Sequence, residues 1–391
     1  MKKLAIVSTH PIQYNAPWFR LLASRGNVQL KVFYTWSQAA DTVKDKTFGR
    51  DIKWDIPLLE GYAFEFMENV SKKPGSHHFF GMDCPTLIPK IKAFSPNAIL
   101  FFGWNFKSHI KAMRYFSGKV PVWFRGDSTL INETGGYKTI LRRLVLTKIY
   151  RYVDKAFYVG QANKAYFLKH GLSENQLVYA PHAIDNERFG DAINKNYGSD
   201  AQLWRQELGY CHTDILIVYA GKLDAIKQID FLIEAFKIAL RTNDALRLLV
   251  VGNGLLEESL KDLASQIEEI KFLPFQNQTI MPLIYRLANV FCLPSKSETW
   301  GLAINEAMAS GRAVLISNRV GCAQDLISKE SNGFVFEYND IRSLVAILQN
   351  LNLGQLHDMG EFAQHFIQRF NFETIARAFE HELETSQKHL K

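Results

Sequence analysis

The chain has few cysteines: Cys84, Cys211, Cys292 and Cys322, the only four in 391 residues, lie far apart with no C-x-x-C spacing and no His-rich partner. A metal site or thiol nucleophile built on them is disfavoured, and the simpler reading is four reduced, mostly buried thiols, with Cys292 inside the apolar run Val290–Leu293. Long apolar runs are missing too; none approaches the roughly 18–20 residues that span a bilayer. The opening Met1-Lys2-Lys3-Leu4-Ala5-Ile6-Val7 has the charge of a secretion signal, but its apolar stretch ends at Ser8. That is short of the ~7–15 residues of a signal core, so the segment reads as a first β-strand and the protein as cytoplasmic. No G-x-x-x-x-G-K-[ST] occurs, which leaves a P-loop ATPase unsupported. Val251-Gly252-Asn253-Gly254-Leu255-Leu256-Glu257 offers G-x-G but places Glu where a dinucleotide fold needs its third glycine.

What is present is the balance of a globular protein, 47% hydrophobic and 22% charged, long enough for two domains. A net charge of +7 admits anionic partners: nucleic acid, a membrane surface or phosphorylated ligands. No helix-turn-helix, zinc-finger or RNA-binding motif is present, so nucleic acid is not expected as a partner.

Short β-branched or aromatic runs alternate with helix-period segments, the pattern of mostly parallel sheets with crossover helices. The first half predicts strands at Leu4–Ser8, Val28–Tyr34, Ala98–Phe102, Val120–Phe124 and Ala156–Val159, with an irregular segment from Trp54 to Lys90. The second half predicts Ile215–Ala220, Leu246–Val251, Ile270–Leu273, Val290–Leu293, Ala313–Ile316 and Gly333–Phe336. Polar residues from Asp185 to Gln202 break the alternation and read as an interdomain linker. Domains are therefore expected at 1–190 and 200–365, with a C-terminal helix at 366–391 carrying Phe372, Ile375, Ala376, Phe379 and Leu383 on one face. Two such open sheets bind ligands at the carboxyl ends of their strands.

The segment Ser295-Lys296-Ser297-Glu298-Thr299-Trp300-Gly301-Leu302-Ala303-Ile304-Asn305-Glu306 follows a buried strand and opens a helix near Gly301 that closes at Gly311. A helix N-terminus offers unpaired N–H groups and a positive dipole end to an anion. Glu298 and Glu306 flank that position, and carboxylates there suit sugar hydroxyls on either side of a diphosphate. The plain alternative is an ordinary helix with an acid near its N-terminus and a solvated Glu306.

Glu298-x7-Glu306, with Trp300-Gly301-Leu302 and Glu306-Ala307-Met308-Ala309-Ser310-Gly311, resembles the E-x7-E signature of glycosyltransferase family 4. Ala220-Gly221-Lys222-Leu223 with Lys227, Val251-Gly252-Asn253-Gly254, Phe272-Leu273-Pro274-Phe275 and Pro181-His182-Ala183-Ile184-Asp185 extend the resemblance through the C-terminal half in order. It implies a GT-B fold, two Rossmann-like domains facing across a cleft, whose C-terminal helix can return to the N-terminal domain. It implies a retaining, metal-independent enzyme without cofactor, moving a sugar from a nucleotide-sugar donor (UDP-sugar favoured, GDP-sugar also open) to a glycan or lipid-linked acceptor. Absence of D-x-D argues in the same direction, against the metal-dependent GT-A type.

The resemblance also implies roles. Glu298 would hold hydroxyls of the transferred sugar and Glu306 the ribose. Backbone around Trp300, Gly301 and Leu302 would cradle the diphosphate, with Gly221, Gly252, Phe272 and Leu273 completing the donor site. Lys222 and Lys227 would neutralise the leaving diphosphate, although Lys222 stands where Arg is usual and offers a point charge in place of a fork. The N-terminal half matches more loosely. Thr9-His10-Pro11-Ile12-Gln13 replaces a glycine-rich turn, making His10 and Gln13 candidates for acceptor or donor contact unless His10 only caps its loop. Where relatives often carry a His, this chain has Phe124-Arg125-Gly126-Asp127-Ser128, so Arg125 or Asp127 is the candidate stand-in, with Asp127 placed among the catalytic residues.

Other classes stay open: a nucleotide-sugar epimerase or sugar phosphorylase of the same fold, or a silent sugar-nucleotide-binding partner of another transferase. One more feature concerns location. From about Tyr137 to Tyr152 a helix carries Lys138, Arg142, Arg143, Lys148 and Arg151 among Leu141, Leu144, Val145, Leu146, Ile149 and Tyr150. It either docks on an anionic inner membrane face or turns its apolar side to the sheet and solvates its charges.

Overall fold

The computed structural model describes residues 1–39, 43–45, 50–52, 54–191, 195–328 and 330–385. Two compact units emerge: Met1–Val43 with Ile56–His182 and Asn371–Lys391, and Lys44–Asp55 with Ala183–Phe370.

The first unit is built on β1 (Lys2–Ser8), β2 (Val28–Tyr34), β5 (Ala63–Phe66), β6 (Ala98–Phe102), β7 (Val122–Arg125), β8 (Lys155–Tyr158) and β9 (Leu177–Tyr179). They form one sheet in the order β5-β2-β1-β6-β7-β8-β9, every pair parallel. The remaining strands of the first half, β3 (Val43–Asp45) and β4 (Arg50–Ile52), make a separate two-stranded ribbon. Parallel strands need crossovers, supplied by α1 (Ala16–Ser24), α2 (Leu87–Phe94), α3 (Lys107–Phe116), α4 (Gly136–Tyr150) and α5 (Gln161–Lys169). The central strands are apolar on both faces, as β1 shows with Leu4 to Val7 all buried.

In the second unit β10 (Ile215–Ala220), β11 (Leu246–Val251), β12 (Ile270–Leu273), β13 (Val290–Leu293), β14 (Ala313–Ser317) and β15 (Gly333–Phe336) stand in the order β12-β11-β10-β13-β14-β15, again all parallel. Its helices are α6 (Asn186–Phe189), α7 (Tyr197–Glu207), α8 (Ile229–Leu240), α9 (Glu257–Ala264), α10 (Met281–Leu287), α11 (Leu302–Ala309), α12 (Ala323–Leu326), α13 (Ile341–Gln349) and α14 (Leu353–Phe366). In each sheet the order reverses beside the first strand of the unit, which opens a crevice at the carboxyl ends.

The last helix, α15 (Phe372–Thr385), belongs to the first unit. Ile375, Ala376, Phe379 and Leu383 are buried, and the Phe379 ring stacks on Trp18 (5.2 Å between centroids) and Phe157 (4.0 Å). Arg25 at the end of α1 adds an ion pair to Glu380 at 2.9 Å.

Three expectations need correcting. The stretch Asp185–Gln202 is not a bare linker: Asp185 caps α6 by accepting from the Arg188 N–H, and α7 begins at Tyr197. The irregular Trp54–Lys90 segment contains edge strand β5, whose four residues are too few to show a period. Strand β9, where the sequence shows no strand pattern, is three residues long and too short to carry a period.

Candidate active site

Strand β10, buried throughout, is followed by Gly221, and β11 by Gly252; the two loops that follow are laced together by backbone bonds. Gly221 N–H donates to Val251 O (2.9 Å), Leu223 N–H to Asn253 O (3.0 Å) and Leu256 N–H to Leu223 O (3.0 Å). Gly252 N–H reaches the next strand at Leu273 O (2.9 Å). Gly252 holds φ +140°, and a Cβ there would lie 1.9 Å from Gly221 O, so only glycine fits. The Tyr219 hydroxyl donates to Lys222 O at 2.7 Å, tying down the backbone of that lysine. Asp224 then accepts from the N–H groups of Ile226 (2.9 Å) and Lys227 (3.3 Å), a side-chain turn that aims Lys227.

The third loop leaves β13. Ser295 is fully buried and donates from its hydroxyl to the Glu298 carboxylate at 3.4 Å. Glu298 is pinned through its main chain: its N–H donates to Arg319 O (3.1 Å) and its C=O accepts from Gly321 N–H (3.0 Å). Its carboxylate forms an ion pair with the ammonium of Lys227, both side chains about one-fifth exposed. Helix α11 begins after Gly301, which has φ +98° and gives its N-terminus no side-chain cap. Within that first turn the Ile304 N–H donates to Gly301 O at 2.9 Å, and the helix N-terminus presents its positive dipole end at the mouth of the loop. Trp300 is buried, and its indole N–H donates to Asn305 Oδ1 at 2.9 Å, locking the loop to the helix.

Glu306 is not a solvated acid. It is 2% exposed and accepts from the Tyr285 hydroxyl at 2.7 Å. A carboxylate held in so little water needs hydrogen-bond donors around it. Phe272 and Leu273 form the carboxyl end of edge strand β12, half-buried, beside Val250 and Val251. One unit thereby carries Gly221, Lys222, Lys227, Gly252, Phe272, Leu273, Glu298, Trp300, Gly301, Leu302 and Glu306, all on loops or strand ends at the carboxyl edge of its sheet or on the helix rising from it. The two acids differ in kind: Glu298 faces a lysine at a loop mouth, Glu306 a phenol within the core.

In the first unit, His10 follows β1 with Nδ1 2.9 Å from the Thr9 hydroxyl and its ring edge-on to Trp36 at 5.4 Å. Burial pushes the imidazole down to about 4, so it is neutral at physiological pH. Gln13 is half-exposed in the turn before α1.

Arg125 cannot stand in for a ligand-facing His. It is 3% exposed, and its guanidinium donates to Ala180 O (2.7 Å) and Pro181 O (2.9 Å), fastening β7 to the chain leaving β9. Burial lowers it to about 10, with Asp127 opposing the shift. Asp127 is nearly half exposed and lies 3.8 Å from His182 Nε2. Burial lowers the His182 pKa while Asp127 raises it. His182 was quoted in the sequence only as part of a junction motif. It gains a place at this edge because β9, unrecognised there, runs beside β8 and delivers it next to Asp127.

Cys84, Cys292 and Cys322 are buried with their thiols pushed up by burial, and Cys211 is exposed. Among the described residues no group of three or more His, Cys, Asp or Glu could hold a metal ion.

Residues 200–369 match the family model described as Glycosyl transferases group 1. A galactosyltransferase of Escherichia coli, UDP-Gal:alpha-D-GlcNAc-diphosphoundecaprenol alpha-1,3-galactosyltransferase, is 31% identical over 180 residues, 44% of this chain and 44% of that protein. A GDP-mannose-dependent monoacylated alpha-(1-6)-phosphatidylinositol monomannoside mannosyltransferase of Corynebacterium glutamicum is 27% identical over 239 residues, 58% of this chain and 61% of its own. The chain spans between about a third and three-fifths of the length of the first curated relatives it matches. Among solved structures, Anabaena HepE in complex with UDP and glucose is similar with a TM-score of 0.71 at 19% identity, covering 98% of this chain and 100% of that one. The fold shared with such structures is GT-B.

Proposed function

We propose that this chain is a retaining glycosyltransferase of the family 4 type, moving a sugar from a nucleotide-sugar donor, a UDP-sugar by preference and a GDP-sugar as the second choice, to a glycan or lipid-linked acceptor. The observation that carries this reading is the Lys227–Glu298 ion pair beside the uncapped N-terminus of α11, with Glu306 buried in the same helix. A bound donor can exchange that pair: Lys227 turns to the diphosphate, and Glu298 accepts from sugar hydroxyls. The N–H groups after Gly301 take phosphate oxygens, and Glu306 accepts from the ribose.

Cleavage then breaks the bond from the sugar C1 to the phosphate oxygen, whose electron pair leaves with the nucleoside diphosphate. Lys227 and Lys222 neutralise that charge without a metal. The acceptor hydroxyl oxygen bonds to C1 on the face the diphosphate leaves, and its proton passes to the departing phosphate. Asp127, which lies beside His182, and His10 belong to the acceptor side. The activities of the Escherichia coli and Corynebacterium relatives support both donor classes and a lipid-linked acceptor.

A thermal-shift screen against UDP-, GDP- and ADP-sugars tests the donor assignment, since a ligand at about 100 times its Kd adds about 2.7 kcal/mol. Stabilisation by one nucleotide class, lost in Glu306→Ala, supports the reading; no response to any class sinks it. Product analysis without acceptor separates the epimerase, which would interconvert donor sugars. Activity abolished by EDTA and restored by manganese would overturn the metal-free step.

A further inference from the structure

We infer that α4 is a docking surface for an anionic lipid bilayer. The helix has two apolar stripes. Leu146, Ile149 and Tyr150, near its C-terminal end, enter the core of the first unit. Tyr137 (75% exposed), Ile140 (59%), Leu141 (61%), Leu144 (64%) and Val145 (47%) do not. Spaced i, i+3, i+4, i+7 and i+8, they form one continuous outward stripe. The inward face posed by the sequence takes only three of the apolar residues, and five stay outside.

Charge selects the occupant. Lys138, Arg142, Lys148 and Arg151 are exposed around the stripe, and no acidic residue occurs between Glu133 and Asp154. Arg143 is set apart because its guanidinium is held by Glu133 at 3.2 Å. A second copy packing by the same face would bring four more cations against these four and no carboxylate to meet them. An anionic bilayer matches both features, apolar depth below the stripe and negative headgroups around it, while the long basic side chains reach up to the headgroups. From Tyr137 to Val145 the stripe runs only about 12 Å along the helix axis, so binding is shallow and reversible. Among the described residues no helix is long and apolar enough to cross a membrane.

The test is co-sedimentation of the full chain with phosphatidylglycerol-containing vesicles and with pure phosphatidylcholine vesicles, at low and high salt. The protein is expected to pellet with the anionic vesicles at low salt and to be released by high salt. Arg142→Ala and Lys148→Ala should each weaken partitioning about fivefold. Leu141→Ser with Leu144→Ser should abolish it even on anionic vesicles, with the circular dichroism spectrum unchanged because these side chains are exposed. Wild-type protein left in the supernatant at low salt overturns the inference. So does equal binding by both sets of variants, or a dimer in sedimentation velocity that the leucine variant dissociates while vesicles go unbound. None of these readouts uses a nucleotide sugar, so failure here leaves the donor-site reading standing.

Discussion

At the carboxyl edge of the second sheet the loops are held mainly by backbone: Gly221 to Val251, Leu223 to Asn253, Gly252 to Leu273 and Glu298 to Arg319. At the same edge of the first sheet, backbone bonds such as Trp36 to Thr9 (2.8 Å) and Ala180 to Tyr158 (3.0 Å) are joined by buried side chains: Arg125 on two carbonyls, and His109 between the Thr35 hydroxyl (2.9 Å) and Gly103 O (2.9 Å). Both solutions position polar groups above a parallel sheet. The backbone solution presents fixed N–H groups, which suits a ligand part common to many donors, the diphosphate. The side-chain solution can be rewritten residue by residue, which suits an acceptor that varies.

The sharpest way to break this contrast is a single methyl group. Gly252→Ala places a carbon 1.9 Å from Gly221 O at φ +140° and should destabilise the second unit by about 3 kcal/mol or more. Thermal melts with and without nucleotide would show it; a variant that melts and binds like the wild type would mean that backbone lacing is dispensable. Next, Lys227→Ala should lower kcat by about 10²–10³ while leaving the fold intact, read in a donor-turnover assay. Full activity would remove Lys227 from the donor site.

The first unit answers to pH instead. His109 is fully buried and titrates at about 4 in the fold against 6.5 ordinarily. Its folded pKa is lowered, so the unfolded chain binds the proton more readily, and stability present above about 6.5 is lost as pH falls toward 4. The loss from this group is on the order of a few kcal/mol, and urea titrations across that range should show it shrink in His109→Gln. An unchanged pH slope would assign the effect elsewhere. The smallest effect belongs to Tyr285→Phe, which removes one donor from the buried Glu306 carboxylate and should cost about 1.5–3 kcal/mol in stability or nucleotide binding combined. A neutral outcome would show that Glu306 is satisfied by its other neighbours.

Much of the second unit was legible because its determinants are local. Five of its six strands end where the apolar runs end, and α11 opens one residue after Gly301, near where the sequence places the start of that helix. In the first unit β2 and β6 were equally plain, but β5 and β9 were too short to carry a period, and with β9 went the position of His182. Arg125 reads in the sequence as a ligand contact, because only the fold brings the Ala180 and Pro181 carbonyls, just past β9, onto its guanidinium.

By itself the sequence determined the alternation of strand and helix and which loops carry carboxylates and lysines, since each rests on residues a few places apart. Tertiary structure decided which of them meet. Lys227 and Glu298 are 71 residues apart and pair because β13 lies beside β10. The C-terminal helix buries Phe379 against Trp18 and Phe157, and α4 keeps five apolar side chains outside. An apolar period states that a face needs covering; the order of the strands and the packing of the helices upon them determine what covers it, and whether anything in the chain does.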